Sequence, residues 1–184
     1  INKKCNEISE TLFDAIDNAR NSAGSFLTDT SNNDVDKVTR GKLSASRNEG
    51  PVSGDINTGG IAGSMAFEYT LDPEDDVSSD LSGEYQRQYT YRAIVQRCVN
   101  TGAVTGKRSY VGGIAGLTGG TVRGCYAKCT VSGTKYVGGI VGSGTTETVS
   151  GAVSSVSDCR SMVSIPGSPQ YSGAVSGAMA GAYA

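Results

Sequence analysis

Two groups of side chains in this chain have the types that do chemistry. The first is a run of carboxylates, Asp72, Glu74, Asp75, Asp76, Asp80 and Glu84, followed by Tyr85, Tyr89 and Tyr91. Carboxylates at short spacing can supply oxygen ligands to calcium. In pairs they can serve as acid and base in glycoside hydrolysis. The spacing does not match a helix–loop–helix calcium loop and its glycine is missing, so a solvated acidic loop is the plainer reading. The tyrosines are either contact residues, since aromatic rings are enriched in recognition surfaces, or they pack this segment onto what lies beneath it. The binding candidates are Asp72, Glu74, Asp75, Asp76, Tyr85 and Tyr89. A shorter acidic alternation, Asn32-Asn33-Asp34-Val35-Asp36, has Lys37 where a calcium loop wants glycine.

The second group is the cysteines, Cys5, Cys98, Cys125, Cys129 and Cys159. Cys125 and Cys129 lie about 13 Å apart along a strand, too far for a disulfide. The spacing lacks the paired ligands of a zinc site, and His is absent from the chain. The same absence removes His-based triads and general bases. The cysteines therefore read as buried, reduced thiols. No catalytic residue, metal site or cofactor is assigned.

The elements that position these groups come from an internal repeat. Gly59-Gly60-Ile61-Ala62-Gly63, Gly112-Gly113-Ile114-Ala115-Gly116 and Gly138-Gly139-Ile140-Val141-Gly142 match, with a degenerate fourth block from Gly173 to Gly177. Ahead of each block stand an apolar residue (Leu43, Val95, Val122, Val156), a small one (Ser46, Cys98, Cys125, Cys159), a β-branched one (Val52, Val104, Val131, Ile165) and a glycine (Gly54, Gly106, Gly133, Gly167). From Cys125 to Ser132 buried and polar types alternate with period two, the signature of strand. Glycines are expected to mark turns with positive φ. Two or three short strands per unit, repeated, suit a rung of a solenoid. Helical repeats fit poorly, because so much glycine would cost about 1 kcal/mol at each helical site. The expected fold is all-β, a right-handed parallel β-helix or solenoid of about four rungs. Its interior ladders are Ser46/Cys98/Cys125/Cys159, Val52/Val104/Val131/Ile165 and Ile61/Ile114/Ile140/Val175.

Residues 43–184 form this solenoid, with an inserted loop region at 64–94. The linkers that vary in length, 64–94, 117–121 and 143–155, all follow the glycine block, so insertions project from one corner of the stack. Such a decorated corner is a binding face or a tolerant surface. Residues 1–42 do not repeat. Ile8, Leu12, Ile16, Ala19 and Ala23 line one face of a helix that Gly24 ends. This segment is read as an N-terminal helical cap over open strand edges, the alternative being the tail of a preceding domain. The chain begins at Ile1 and stops in an apolar stretch, as expected of a piece of a longer protein.

Composition agrees. Glycine supplies 26 of 184 residues and Trp is absent, so large apolar groups for a thick core are scarce. Sixteen basic against eighteen acidic side chains are too balanced to suggest nucleic acid, and no apolar run reaches the length of a membrane span.

The segments Cys98 to Gly106 with Tyr110 to Gly116, and Cys125 to Gly133 with Tyr136 to Gly142, resemble the GLUG motif. Ser46–Gly63 is a fair further copy and Cys159–Gly177 a degenerate one. The motif occurs in bacterial adhesin-like surface proteins and in non-catalytic regions of immunoglobulin A peptidases. The resemblance implies an extracellular or cell-surface setting and carries over no catalytic residue. The expected function is that of a non-catalytic module of a larger bacterial protein. Its decorated face would bind a host glycan, a host or extracellular protein, or neighbouring domains of the same chain. A passive stalk is the alternative. A polysaccharide-active β-helix enzyme is a further one, which would need carboxylate pairs that the repeats lack.

Overall fold

The computed structural model describes Lys4 and residues 27–37, 39–65, 89–144, 154–179 and 182–183. The expected helix over Ile8–Ala23 lies outside these residues. Apart from Lys4, which is helical, what is described is all-β, with parallel strands in stacked sheets.

The chain makes four successive passes through the same five sheets. The first pass contains β2 (Lys42–Ser44), β3 (Arg47–Asn48), β4 (Val52–Gly54), β5 (Thr58–Gly59) and β6 (Ala62–Met65). The second contains β8 (Ile94–Gln96), β9 (Val99–Asn100), β10 (Val104–Gly106), β11 (Ser109–Gly112) and β12 (Ala115–Thr118). The third contains β13 (Thr121–Arg123), β14 (Tyr126–Ala127), β15 (Val131–Ser132), β16 (Lys135–Gly138) and β17 (Val141–Gly144). The fourth contains β18 (Ser155–Ser157), β19 (Arg160–Ser161), β20 (Gln170–Gly173) and β21 (Ser176–Met179), with a single bridge at Ser164 in place of the third strand. A fifth pass opens with β22 (Ala182–Tyr183). Each strand pairs in parallel with its equivalent one pass away, giving sheets β2-β8-β13-β18-β22, β3-β9-β14-β19, β4-β10-β15, β5-β11-β16-β20 and β6-β12-β17-β21. The arrangement fits a parallel β-solenoid.

The number of strands per pass differs from the sequence expectation of two or three. The period-two run from Cys125 to Ser132 is split between β14 and β15, because backbone corners interrupt it without disturbing the alternation. The registers agree with the ladders read from the repeat. Leu43, Val95, Val122 and Val156 pair in order, as do Val52, Val104 and Val131. Backbone hydrogen bonds link Ile61 to Ile114, Ile114 to Ile140, and Ile140 to Val175.

Two thin cores result. Val95, Val122, Val156, Cys98, Cys125, Ile114, Ile140 and Val141 belong to the first, and Val104, Val111, Val131 and Val137 to the second. Each fully buried valine contributes roughly 1.5–3 kcal/mol, so stability accumulates along ladders and not in one central mass.

The glycine blocks do not serve the expected purpose. Among the described glycines only Gly41, Gly124 and Gly167 have positive φ. The block glycines are required by close approach. A Cβ on Gly112 would sit 1.9 Å from the carbonyl oxygen of Ala115, and one on Gly142 would sit 2.5 Å from the amide nitrogen of Val111. The sheets containing β11 and β12 thus meet backbone to backbone. Left-handed conformations fall instead on Asn57, Tyr110, Tyr136 and Tyr171, and on Ala45, Arg97 and Asp158.

Candidate functional site

The left-handed tyrosines build the most distinctive surface among the described residues. In the sheet β5-β11-β16-β20, Ser109 pairs with Lys135 and Lys135 with Gln170, while Val111 pairs with Val137 and Val137 with Ser172. Between these pairs each strand holds one residue at φ near +60°: Tyr110 (62°), Tyr136 (53°) and Tyr171 (59°). Val111 and Val137, next in the chain, are fully buried. The three rings stack outside the core. Tyr110 and Tyr136 have centroids 5.0 Å apart and planes 3° apart, and Tyr136 and Tyr171 are 5.1 Å and 10° apart. Tyr171 is 55% exposed. The Lys135 Nζ lies 4.8 Å from the Tyr136 centroid and 5.8 Å from that of Tyr171, within cation–π reach. Asn57 occupies the equivalent position in the first pass at φ 52° and ends the ladder. The segments that resemble the motif open on Tyr110 and Tyr136, and Tyr171 is not singled out. Their left-handed backbone, which sets them in one column outside the core, has no signature in residue type, since bulky residues there are uncommon.

The candidates read from the sequence are placed differently. Asp72, Glu74, Asp75, Asp76 and Tyr85 lie outside the described residues. Tyr89 opens β7 (Tyr89–Tyr91), which pairs in parallel with β1 (Leu27–Asp29), Tyr89 opposite Leu27. The variable linkers do leave one corner: each joins the sheet of β6, β12 and β17 to the sheet of β8, β13 and β18.

At that corner the segment after β1 is fastened to the stack. The Ser31 hydroxyl accepts the Ala93 amide at 3.0 Å, and the Thr121 hydroxyl donates to Asn32 Oδ1 at 2.6 Å. Asp34 accepts from Thr30 Oγ1 at 2.6 Å and pairs with Arg92 at 2.5 Å. The Thr30 hydroxyl first, then the Arg92 guanidinium, hold the Asp34 carboxyl below its ordinary value. Asp36 reaches Gln96 at 3.3 Å and Arg123 at 3.5 Å, and Lys42 donates to the Val35 carbonyl. The carboxylates weighed as calcium ligands at 34 and 36 are thus engaged with this corner. The described part of the segment read as an end cap lies along the side of the stack, over three passes.

The cysteine column is a structural device. Cys98, Cys125, Cys129 and Cys159 are free thiols. The Cys98 amide donates to Cys125 Sγ, and the Cys125 amide to Cys159 Sγ, each at 3.4 Å. Hydrogen bonding with the Cys159 and Cys98 thiols, together with burial, pushes the Cys125 thiol up. The same contact draws Cys98 down to about 6, yet Cys98 has no exposed surface through which to react.

Sequence reasoning passed over Asn100. It is fully buried, and its Nδ2 donates to the carbonyls of Gly113 at 2.8 Å and Gly102 at 3.0 Å. Its Oδ1 accepts from the Gly102 amide at 3.1 Å and from Asn48 Nδ2 at 2.9 Å. The usable signal was the repeated Asn-x-Gly at 48–50 and 100–102.

No family model, curated protein or solved structure matches this chain, so the resemblance to GLUG repeats rests on its sequence alone.

Proposed function

We propose that this chain is a non-catalytic recognition module of a larger extracellular or cell-surface protein, a right-handed β-solenoid of GLUG-type repeats that holds a ligand on its outer surface. The observation that carries this reading is the stacked surface column of Tyr110, Tyr136 and Tyr171 beside Lys135, the first two half-buried and the third exposed. The cores are filled without these rings, and exposed aromatic clusters are a feature of recognition surfaces. A non-catalytic role is supported by the rung carboxylates. Glu49 pairs with Arg47, Asp55 with Arg108 and Asp158 with Arg123, so these three are engaged in ion pairs and not poised as acid and base.

The test is a screen of the whole chain on polysaccharide and extracellular-matrix-protein arrays, beside two variants. One replaces Tyr110, Tyr136 and Tyr171 with Asn. The other replaces residues 66–88 with a short Gly-Ser linker, sparing β7 and Arg92. Specific retention lost in the tyrosine variant is the expected result. Retention lost only in the linker variant would move the site to the insertion. No retention by any folded form would favour the passive stalk.

A further inference from the structure

We infer, resting on that reading, that the tyrosine column is a binding track for a linear acidic polysaccharide, laid parallel to the stacking axis with its sugar rings on Tyr110, Tyr136 and Tyr171 and an acidic group on Lys135.

The argument begins with spacing. The column repeats one chemical group at 5.0 and 5.1 Å along a line. A ligand that meets every ring must be a polymer with a matching repeat. An extended peptide presents like side chains about 6.6–6.8 Å apart. Stacked nucleotides rise about 3.4 Å per residue along a strand. Both lose register within three rings. A pyranose unit with its glycosidic oxygen has a length close to the rung rise and keeps it.

The chemistry agrees. The inner ring faces are turned toward one another, at interplanar angles of 3° and 10°. They leave no gap for a base to enter, whereas ring edges and phenol hydroxyls remain at each rung. Sugar C–H faces and hydroxyls suit such a border of apolar edge and polar tip. Charge narrows the class. From Ile94 to Ala184 seven basic side chains stand against Glu147 and Asp158 alone, although the whole chain is net −2. Lys135 lies directly at the column, and among the described residues no carboxylate forms an ion pair with it.

The experiment uses the 184-residue chain in affinity gels and calorimetry against polygalacturonate and hyaluronate, with neutral mixed-linkage β-glucan and poly(dT) as contrasts. Asparagine is the replacement for each tyrosine, because Asn57 already fills this position at a left-handed φ. Binding to the acidic polymers is expected to fall about tenfold or more in the triple variant Y110N/Y136N/Y171N. It is expected to fall about threefold in K135Q and to weaken with added salt. Circular dichroism must show the same β spectrum in all forms. Equal binding of neutral glucan, lost in the triple variant and indifferent to K135Q, would overturn the acidic ligand while leaving a recognition module. Preference for poly(dT), or acidic-polymer binding that survives the triple variant, would overturn the track. Binding to none of these polymers would also overturn it; a matrix protein held through the same tyrosines would then leave the recognition reading standing alone.

Discussion

Gly116 and Gly124 show that glycine does two jobs in this chain. Gly124 is left-handed at φ 63°, and a Cβ there would meet nothing nearer than 3.7 Å. Gly124→Ala should cost only the backbone term, roughly 1–2 kcal/mol, seen as a modest drop in denaturation midpoint. Gly116 has no positive φ, but its Cβ would lie 2.5 Å from the Asn57 carbonyl carbon and 2.6 Å from the Gly63 oxygen. Gly116→Ala should therefore abolish cooperative unfolding or cost several times more. Equal costs in the two variants would refute the distinction. Asn100 is the other decisive single residue. Asn100→Ala leaves Gly113 and Gly102 groups without their partner, at about 1–3 kcal/mol for each buried group unpaired. Ala127 occupies the equivalent place in the third pass, so the backbone accepts alanine there and the loss read by urea titration reports the hydrogen bonds.

At the scale of elements, the pairing of β1 with β7 and the turn that follows are held differently from the rungs. The stack rests on buried apolar ladders, whereas this segment, apart from the buried Val35, rests on polar contacts centred on Asp34, Arg92, Ser31 and Asn32. Asp34 is held below the ordinary carboxyl value of 3.8. A depressed carboxyl stabilises the folded form fully above that value, and the contribution disappears as pH falls through the lower folded value. Acidification below about pH 3.8 should therefore release residues 27–36 before the rungs open. Hydrogen exchange read by mass spectrometry would show it, as faster exchange in 27–36 and 89–93 with rung amides still protected. Arg92→Met should give the same pattern at neutral pH. Simultaneous loss of protection in segment and rungs would show that the two are one cooperative unit.

For the whole molecule, the repeat makes length a matter of register. Cys98 and Cys125 stack at a separation of 27 residues, and Thr121 pairs with Ile94 at the same offset. Removing residues 94–120 would join Ala93 to Thr121 and place the third pass directly on the first. This deletion should keep a cooperative β fold with a lower melting temperature, since one neighbour interface is lost. Removing residues 105–130 should unfold the chain, because joining Val104 to Val131 puts one extra residue inside the invariant Cys98-to-Gly106 stretch of the rung, and a shift of one residue sends buried side chains to the solvent face. Similar melting of both would mean that the ladders do not set the register.

The sequence by itself determined the repeat, the period and the partners within each ladder. These depend on local alternation and on a near-identical block, and a residue's stacking partner is its own equivalent one unit away. Leu43, Val95, Val122 and Val156 could be paired on paper for that reason. Tertiary structure alone decided the rest. Which glycines answer to crowding and which to φ depends on how closely the sheets of β11 and β12 approach. The tyrosine column exists because one left-handed residue recurs in each of three stacked strands, a backbone choice that tyrosine does not announce. The placement of Asp34 and Asn32 along the side of three passes, and of Asn100 between two sheets, joins residues far apart in the chain. Such contacts arise from the path of the backbone around the stack and leave no period in the sequence to read.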